Sequence, residues 1–154
     1  IGPTPTPTVP QTNMVTNGDF SAGLAPWWDY VDISASGTVS IVNGEAVMDL
    51  SSGGTASWHV MLGQSNIPVT NAASYTVSFQ ARADSARPIT VIVGQAVDPW
   101  TAYGESVFNL TTSMQTYSYT FTMSAATDTA GQIEFDGGTN SANVYIDNVV
   151  MSQN

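Results

Sequence analysis

Apolar and polar residues alternate along residues 75–84 (YTVSFQARAD). Tyr75, Val77, Phe79 and Ala81 share one parity, and Thr76, Ser78, Gln80 and Arg82 share the other. Successive side chains on a strand point to opposite faces, so this stretch is predicted to be a strand with one face on a core and one toward solvent. Residues 88–95, 116–123 and 132–136 repeat the period. The four together are expected to form one sheet whose polar outer face carries Gln, Thr and aromatics. Elsewhere, residues 14–20 read as a short strand into a turn at Asn17-Gly18, and residues 23–30 as a loop entering a second strand. Residues 38–42 and 45–50, joined by Asn43-Gly44, read as a β-hairpin. Residues 56–62 read as a strand, 68–74 as a loop and 98–104 as a loop carrying Trp100 and Tyr103. Residues 105–110 and 143–152 complete the set. No window keeps a helical period with caps, and no internal repeat is found. Roughly ten short strands divided by turn signals predict an all-β chain, an antiparallel β-sandwich.

Composition narrows the partners. The chain has 154 residues, which fits one domain with a full core. Charged residues are only 9%, so the surface must be built from Ser, Thr, Asn, Gln and Gly. The formal net charge is -10, and Arg82 and Arg87 are the only Lys or Arg residues. Phosphate binding needs cations to replace counterions, which excludes a nucleic-acid partner. Anionic membranes and polyanionic sugars are disfavoured for the same reason. A neutral ligand or a cation remains. Cysteine is absent, which removes disulfides, thiolate metal sites and Cys nucleophiles without fixing the compartment. No run approaches the roughly 18 apolar residues of a membrane span. The chain opens on Ile-Gly-Pro without a signal peptide, as an excised module would. Residues 1–12 alternate Pro and Thr, the pattern of an extended, semi-rigid linker ahead of a module at 13–154; the alternative is an ordinary disordered terminus.

A series of motifs runs through the module in order: NGDF (17–20), Trp27 after a loop, NGEAVM (43–48), WHVMLGQ (58–64), YTVSFQARAD, VIVGQ (91–95), AYG (102–104), YSYTFTM (117–123), GQIEFDGG (131–138) and YIDNVVM (145–151). Over about residues 13–152 this series resembles the carbohydrate-binding modules of family 4 and its relatives, families 16 and 22. The resemblance implies a β-sandwich jelly roll, a structural calcium, and a groove that binds β-glucan or xylan chains. It also implies a secreted, monomeric module beside a glycoside hydrolase, to which the Pro/Thr segment would link it.

A glycan chain offers flat C–H patches and many hydroxyls, and these call for aromatic faces with amide or carboxylate side chains. Trp58 and Trp100 are the first choices, and the resemblance implies that they flank a sugar ring. Burying one sugar face on an indole is worth roughly 1–2 kcal/mol, so two such platforms suggest micromolar binding or weaker. From strand pattern alone, Trp58 also suits a core position and Trp100 a rim over the core. Tyr30 and Tyr103 match family positions that line the groove. Trp27 suits the core, and Trp28, of opposite parity, could point outward. The polar candidates are Gln64, Gln80, Gln95, Gln132, Glu134 and Asp136; the last three alternate with Ile133 and Phe135 and point off the core. A solvated strand face is their plainer reading. The resemblance implies groove amides at 132 and 136, and Asp136 departs from that pattern. Arg82 suits either the groove edge or a pairing with Asp84.

The resemblance alone implies the metal. It places calcium between the first strand, the start of the NGEAV strand and the terminal IDN motif. Asp19 and Gly44 would supply carbonyls, Asp147 a carbonyl and a carboxylate, and Glu45 is the least secure ligand; a turn-capping Asp19 and a strand-edge Asp147 are the alternative.

A glycosidase needs two carboxyl groups about 5–9.5 Å apart, one kept protonated. Glu105, Glu134 and Asp136 could supply a pair, but no apolar pocket is evident to hold one neutral. His59 is the only histidine and lacks a recognisable Ser or Asp partner pattern. The expectation is therefore a non-catalytic module that targets an attached hydrolase to polysaccharide. The competing reading is a structural or adhesive sandwich, which has no need of exposed tryptophans on one face.

Overall fold

The computed structural model describes residues 2–4 and 11–154. The linker expected at 1–12 falls largely on residues 1 and 5–10, outside the described residues. Among the described residues there are ten strands: β1 (Trp28–Val31), β2 (Ser36–Val42), β3 (Glu45–Ser52), β4 (Val60–Val69), β5 (Ser74–Ala83), β6 (Arg87–Gly94), β7 (Ala102–Leu110), β8 (Gln115–Thr122), β9 (Asp128–Asp136) and β10 (Val144–Gln153). They form two antiparallel five-stranded sheets, a β-sandwich of jelly-roll type. The first sheet has the order β1-β4-β9-β6-β7 and the second β2-β3-β10-β5-β8.

The two-residue period decides what lies between the sheets. Leu62, Val91, Val93, Ile133 and Phe135 enter from the first sheet; Met48, Val77, Phe79, Ala81, Ile146 and Met151 enter from the second, all buried. Phe79 meets Phe135 edge-on at 5.1 Å, tying one sheet to the other. Trp27 is buried against Phe20 and Phe135, while Trp28, one residue on, faces outward. Full burial of each such side chain contributes about 1.5–3 kcal/mol, which makes this layer the main source of stability.

The pairing departs from the single sheet expected of the four alternating stretches. β5 pairs with β10 and β8, whereas β6 pairs with β7 and β9, so the four strands divide between opposite faces of the sandwich. Parity tells which residues face the core; it does not tell which strand lies alongside. Residues 14–20 form turns in place of a strand. Asn17 donates to the carbonyls of Gly23 and Ala25, a local bonding pattern that competes with a ladder. β4 runs on through Pro68, where a loop was predicted. β1 covers only residues 60–63 of it, so beyond Gly63 that side of β4 is an edge, where proline's missing donor is tolerated.

Candidate functional site

Register lines up residues from all five strands on the outer face of the first sheet. One row reads Trp28, Gly63, Glu134, Ile92, Glu105. The next reads Tyr30, Met61, Asp136, Thr90, Val107. A third reads Ser65, Gln132, Gly94, Ala102. Outward-facing strand residues are normally wet, yet Gln132 and Asp136 are only 5% and 4% exposed. The side chains around them stand higher than they do, which gives the face a recessed polar floor and makes it a candidate groove.

The walls are aromatic. Gly63 lets the Trp28 ring lie flat across β4; a Cβ there would overlap the indole. Trp28 Nε1 donates to Ser65 Oγ at 2.9 Å, Ser65 Oγ lies 3.5 Å from Gln132 Oε1, and Gln132 Nε2 donates to Glu134 Oε2 at 2.9 Å. This relay fixes the Gln132 amide and one Glu134 oxygen before any ligand arrives. Tyr103 crosses to Asp128, donating at 2.8 Å. Burial, and then Asp128, push its phenol up to about 12, so it stays a donor. Tyr30 donates to Asp32 Oδ2 at 2.9 Å at the other end.

Two indoles stand clear of the packing. Trp58 is 49% exposed and Trp100 61%. Trp58 lies in a 3-10 turn (Ser57–His59) ahead of β4 and not in the expected strand, and this turn swings it off core parity. Its ring meets the His59 imidazole edge-on at 4.4 Å. Trp100 sits in the turn after β6 at φ +58, a conformation that costs a bulky residue energy, and its amide donates to Val97 O at 2.8 Å. Gln95 closes the same turn by accepting from the Thr101 amide at 3.0 Å. Met61 and Ala102, the first outward-facing strand residues after the two indoles, lie three strands and four residues apart, about 19 Å across the face. The indoles thus rise at diagonal corners of the groove.

Among the described residues this face holds carboxylates and no cation. Burial raises the Glu134 carboxyl, with Glu105 adding to the effect and the Gln132 bond opposing it. Burial, then Glu134 and Glu105, push Asp136 up to about 7. Its Oδ1 is buried without a hydrogen-bond partner.

Three expected residues lie elsewhere. Gln64 has core parity on β4 and is 4% exposed; it clamps Thr16, accepting from its amide and donating to its carbonyl, both at 2.8 Å. Gln80 and Arg82 are on β5, in the second sheet, and so face away from the groove. Gln80 accepts from Asn148 at 2.6 Å. Arg82 pairs with Glu45 at 3.1 Å, not with Asp84, and covers the Tyr145 ring at 3.7 Å. Ser65 and Met61 were not anticipated in the groove, because only the register with β9 brings them there.

The implied metal can be tested against its donors. Asp147 accepts from the Asn148 amide at 2.7 Å; burial raises its carboxyl, with Glu45 and Asp19 pushing the same way, so the three acids share one neighbourhood. Asp19 is held by Ser21, whose backbone and hydroxyl bonds lower its pKa. Glu45 is engaged by Arg82. Among the described residues no three acidic or imidazole side chains converge as a metal cage. Asp19 and Asp147 carry oxygen donors of the type a hard cation takes.

A family model described as a carbohydrate binding domain matches residues 12–142. The chain belongs to this family. It is a binding domain and not a catalyst. A family 4 carbohydrate-binding module of solved structure is 30% identical, with a TM-score of 0.82, over 90% of this chain and 99% of that one. Endoglucanase C of Cellulomonas fimi is 29% identical over 135 residues, 83% of this chain; the match spans 12% of the endoglucanase's length. The second N-terminal cellulose-binding domain of the Cellulomonas fimi β-1,4-glucanase C is 26% identical with a TM-score of 0.76, over 95% of this chain and 97% of that domain.

Proposed function

We propose that this carbohydrate-binding domain holds a single chain of a neutral β-glycan in the groove on the outer face of its first sheet. The observation that carries the reading is the pairing of two exposed indoles, Trp58 and Trp100, with a buried polar floor at Gln132 and Asp136. The indoles close on sugar faces from opposite corners, each contributing about 1–2 kcal/mol, and the floor reads hydroxyls. Trp28 and Tyr30 extend the aromatic wall along β1, and Tyr103 and Gln95 shape the far end. The cellulose-binding domain among the relatives supports a cellulose-type glucan, with xylan or mannan as the other chains of suitable charge. A groove favours free chains over a crystalline surface.

The domain would act outside the cell, tethering an attached hydrolase to its substrate and raising its local concentration. The endoglucanase match supports that arrangement. Calcium at Asp19, Gly44 and Asp147 would tie the early turn to β3 and β10, with no role in sugar contact.

Affinity electrophoresis through gels containing barley β-glucan, laminarin, xylan, glucomannan or hydroxyethylcellulose tests the reading. Retardation on at least one gel, lost in Trp58→Ala and in Trp100→Ala, is the expected result. Free migration on all five, with calcium present and the fold intact by circular dichroism, would overturn it.

A further inference from the structure

We propose that Asp136 meets the glycan as a neutral carboxylic acid, so that carbohydrate binding takes up a proton and weakens as the Glu105–Glu134–Asp136 cluster ionises. The inference rests on the groove reading above and adds to it the state in which the floor is competent.

The geometry starts from an orphan atom. Asp136 is 4% exposed and its Oδ1 has no hydrogen-bond partner. An ionised carboxylate left in that condition carries a full desolvation penalty. The surroundings offer no cation to relieve it. Within its row, β4 presents Met61 and β6 presents Thr90. Along β9 the next residue on the same face is Glu134, and across Ile92 stands Glu105 of β7. The 3-10 turn contributes the Ser57 hydroxyl, which opposes the rise. His59 in that turn accepts the Thr55 amide at Nδ1, and its charge interaction is with Asp32. Arg87 reaches the carbonyl of Gly137, next in the chain, but its donors are occupied by backbone oxygens. Arg82, the other arginine, is on the opposite sheet. A metal is not indicated, since no cage of three ligating side chains forms among the described residues. What neutralises Asp136 is a proton, and its value near 7 agrees with that.

The proton changes the chemistry of the floor. A carboxylate only accepts, whereas a carboxylic acid offers a donor as well as acceptors, as the neighbouring Gln132 amide does. A sugar hydroxyl can both donate and accept, so the neutral acid can pair with it in either sense. A glycan laid over the groove also removes the little water that still reaches the Glu105–Glu134–Asp136 cluster, which favours the neutral form of Asp136 further. Binding therefore draws a proton in, and affinity falls as pH rises. If only the neutral form binds and the free carboxyl titrates near 7, the apparent Kd rises roughly 30-fold from pH 5.5 to 8.5.

The experiment is calorimetric titration of the whole chain at pH 5.5, 7.0 and 8.5. Ionic strength and calcium are held fixed, and the polysaccharide is whichever of the five gel polymers retards it. The expected result is a Kd that rises about 30-fold across the range, with proton uptake shown by a dependence of the heat on buffer ionisation enthalpy. In Asp136→Asn the slope should collapse to under 3-fold, whatever its absolute affinity. In Glu134→Gln, the loss of a like charge should move the midpoint to lower pH. A wild-type Kd flat within 2-fold, or a slope that survives in Asp136→Asn, overturns the proposal and leaves the groove reading standing. No retardation on any gel even at pH 5.5 overturns both.

Discussion

Arg87 is a buried guanidinium without a carboxylate partner, and its removal should both unfold the domain more easily and loosen the groove. It is 3% exposed. Its Nη2 donates to Gly137 O at 2.6 Å, its Nη1 donates to Ala142 O at 2.6 Å and Asn140 O at 3.3 Å, and Nε reaches Pro88 O at 3.2 Å. Burial lowers its pKa to about 10, still far above any working pH, so the charge persists. The loop between β9 and β10 has its carbonyls turned inward onto this one side chain. The same loop carries the turn of Trp58: Gly138 N donates to Ser57 O, and Gly137 N to Val60 O, both at 2.8 Å.

Arg87→Met keeps the apolar stem and leaves the two short-bonded carbonyls without donors. Charge-assisted bonds contribute about 1.5–3 kcal/mol each, and stranded carbonyls add about 1 kcal/mol or more, against which the lost cost of burying a charge is set. The net expectation is about 3–5 kcal/mol, a large part of the 5–15 kcal/mol that holds a domain of this size. Urea unfolding followed by tryptophan fluorescence should show the midpoint fall by about 1.5–2.5 M for an m-value of about 2 kcal/mol/M. Arg87→Lys keeps the charge without the planar fork and should recover less than half of the loss. Under folded conditions the Met variant should also bind glycan more weakly, because the 3-10 turn that presents Trp58 has lost its support. A destabilisation below 1 kcal/mol in Arg87→Met, or equal stability of the Lys and wild-type proteins, would refute the reasoning.

Three further outcomes follow from the geometry. Gly63→Val should lift the Trp28 ring off β4, break its 2.9 Å bond to Ser65, and weaken glycan binding on affinity gels at least tenfold, with a smaller loss of stability. The raised Asp136 pKa stabilises the fold below the unfolded value of 3.8, and that contribution is lost as pH climbs through about 7. The loss is about 3 kcal/mol between pH 5 and 8.5, read as a difference in urea midpoints that Asp136→Asn should abolish. Adding calcium to chelator-treated protein should raise the melting temperature by several degrees, and Asp147→Asn should reduce that gain by more than half; an unchanged melting curve would remove the metal from the description.

Parity makes the layering legible in the sequence. The inward set on β5 and β9 follows directly from alternation, as does the contrast between Trp27 and Trp28. What alternation could not convey was adjacency. Gln80 and Gln132 sit on outward faces, but their strands belong to different sheets, because the partners of β5 and β9 are set by chain crossovers. Trp58 shows a second limit. It shares even numbering with Val60, Leu62 and Gln64, and an unbroken strand would have buried all four. The 3-10 turn rotates the indole out and leaves Gln64 in. Gln64 then takes the structural task of bonding Thr16, which no outward-facing amide could do. The metal neighbourhood, drawn from residues 19, 44, 45 and 147, came from family resemblance alone, since no local pattern joins positions so far apart.

The two arginines explain how a chain of net charge -10 arrives at a groove of this kind. Arg87 is enclosed by carbonyls and Arg82 is paired with Glu45 beside Asp147, so neither is available to the first sheet's outer face. Glu105 and Glu134 are left there with no positive charge to offset them. A ligand carrying uronic acids would add like charges to this groove, at a cost that low salt makes larger. A neutral chain adds none, and by covering the carboxyls it makes their protonated forms cheaper still. Under the proposed function, the placement of only two cations would set both the class of glycan the groove accepts and the pH range in which it accepts it.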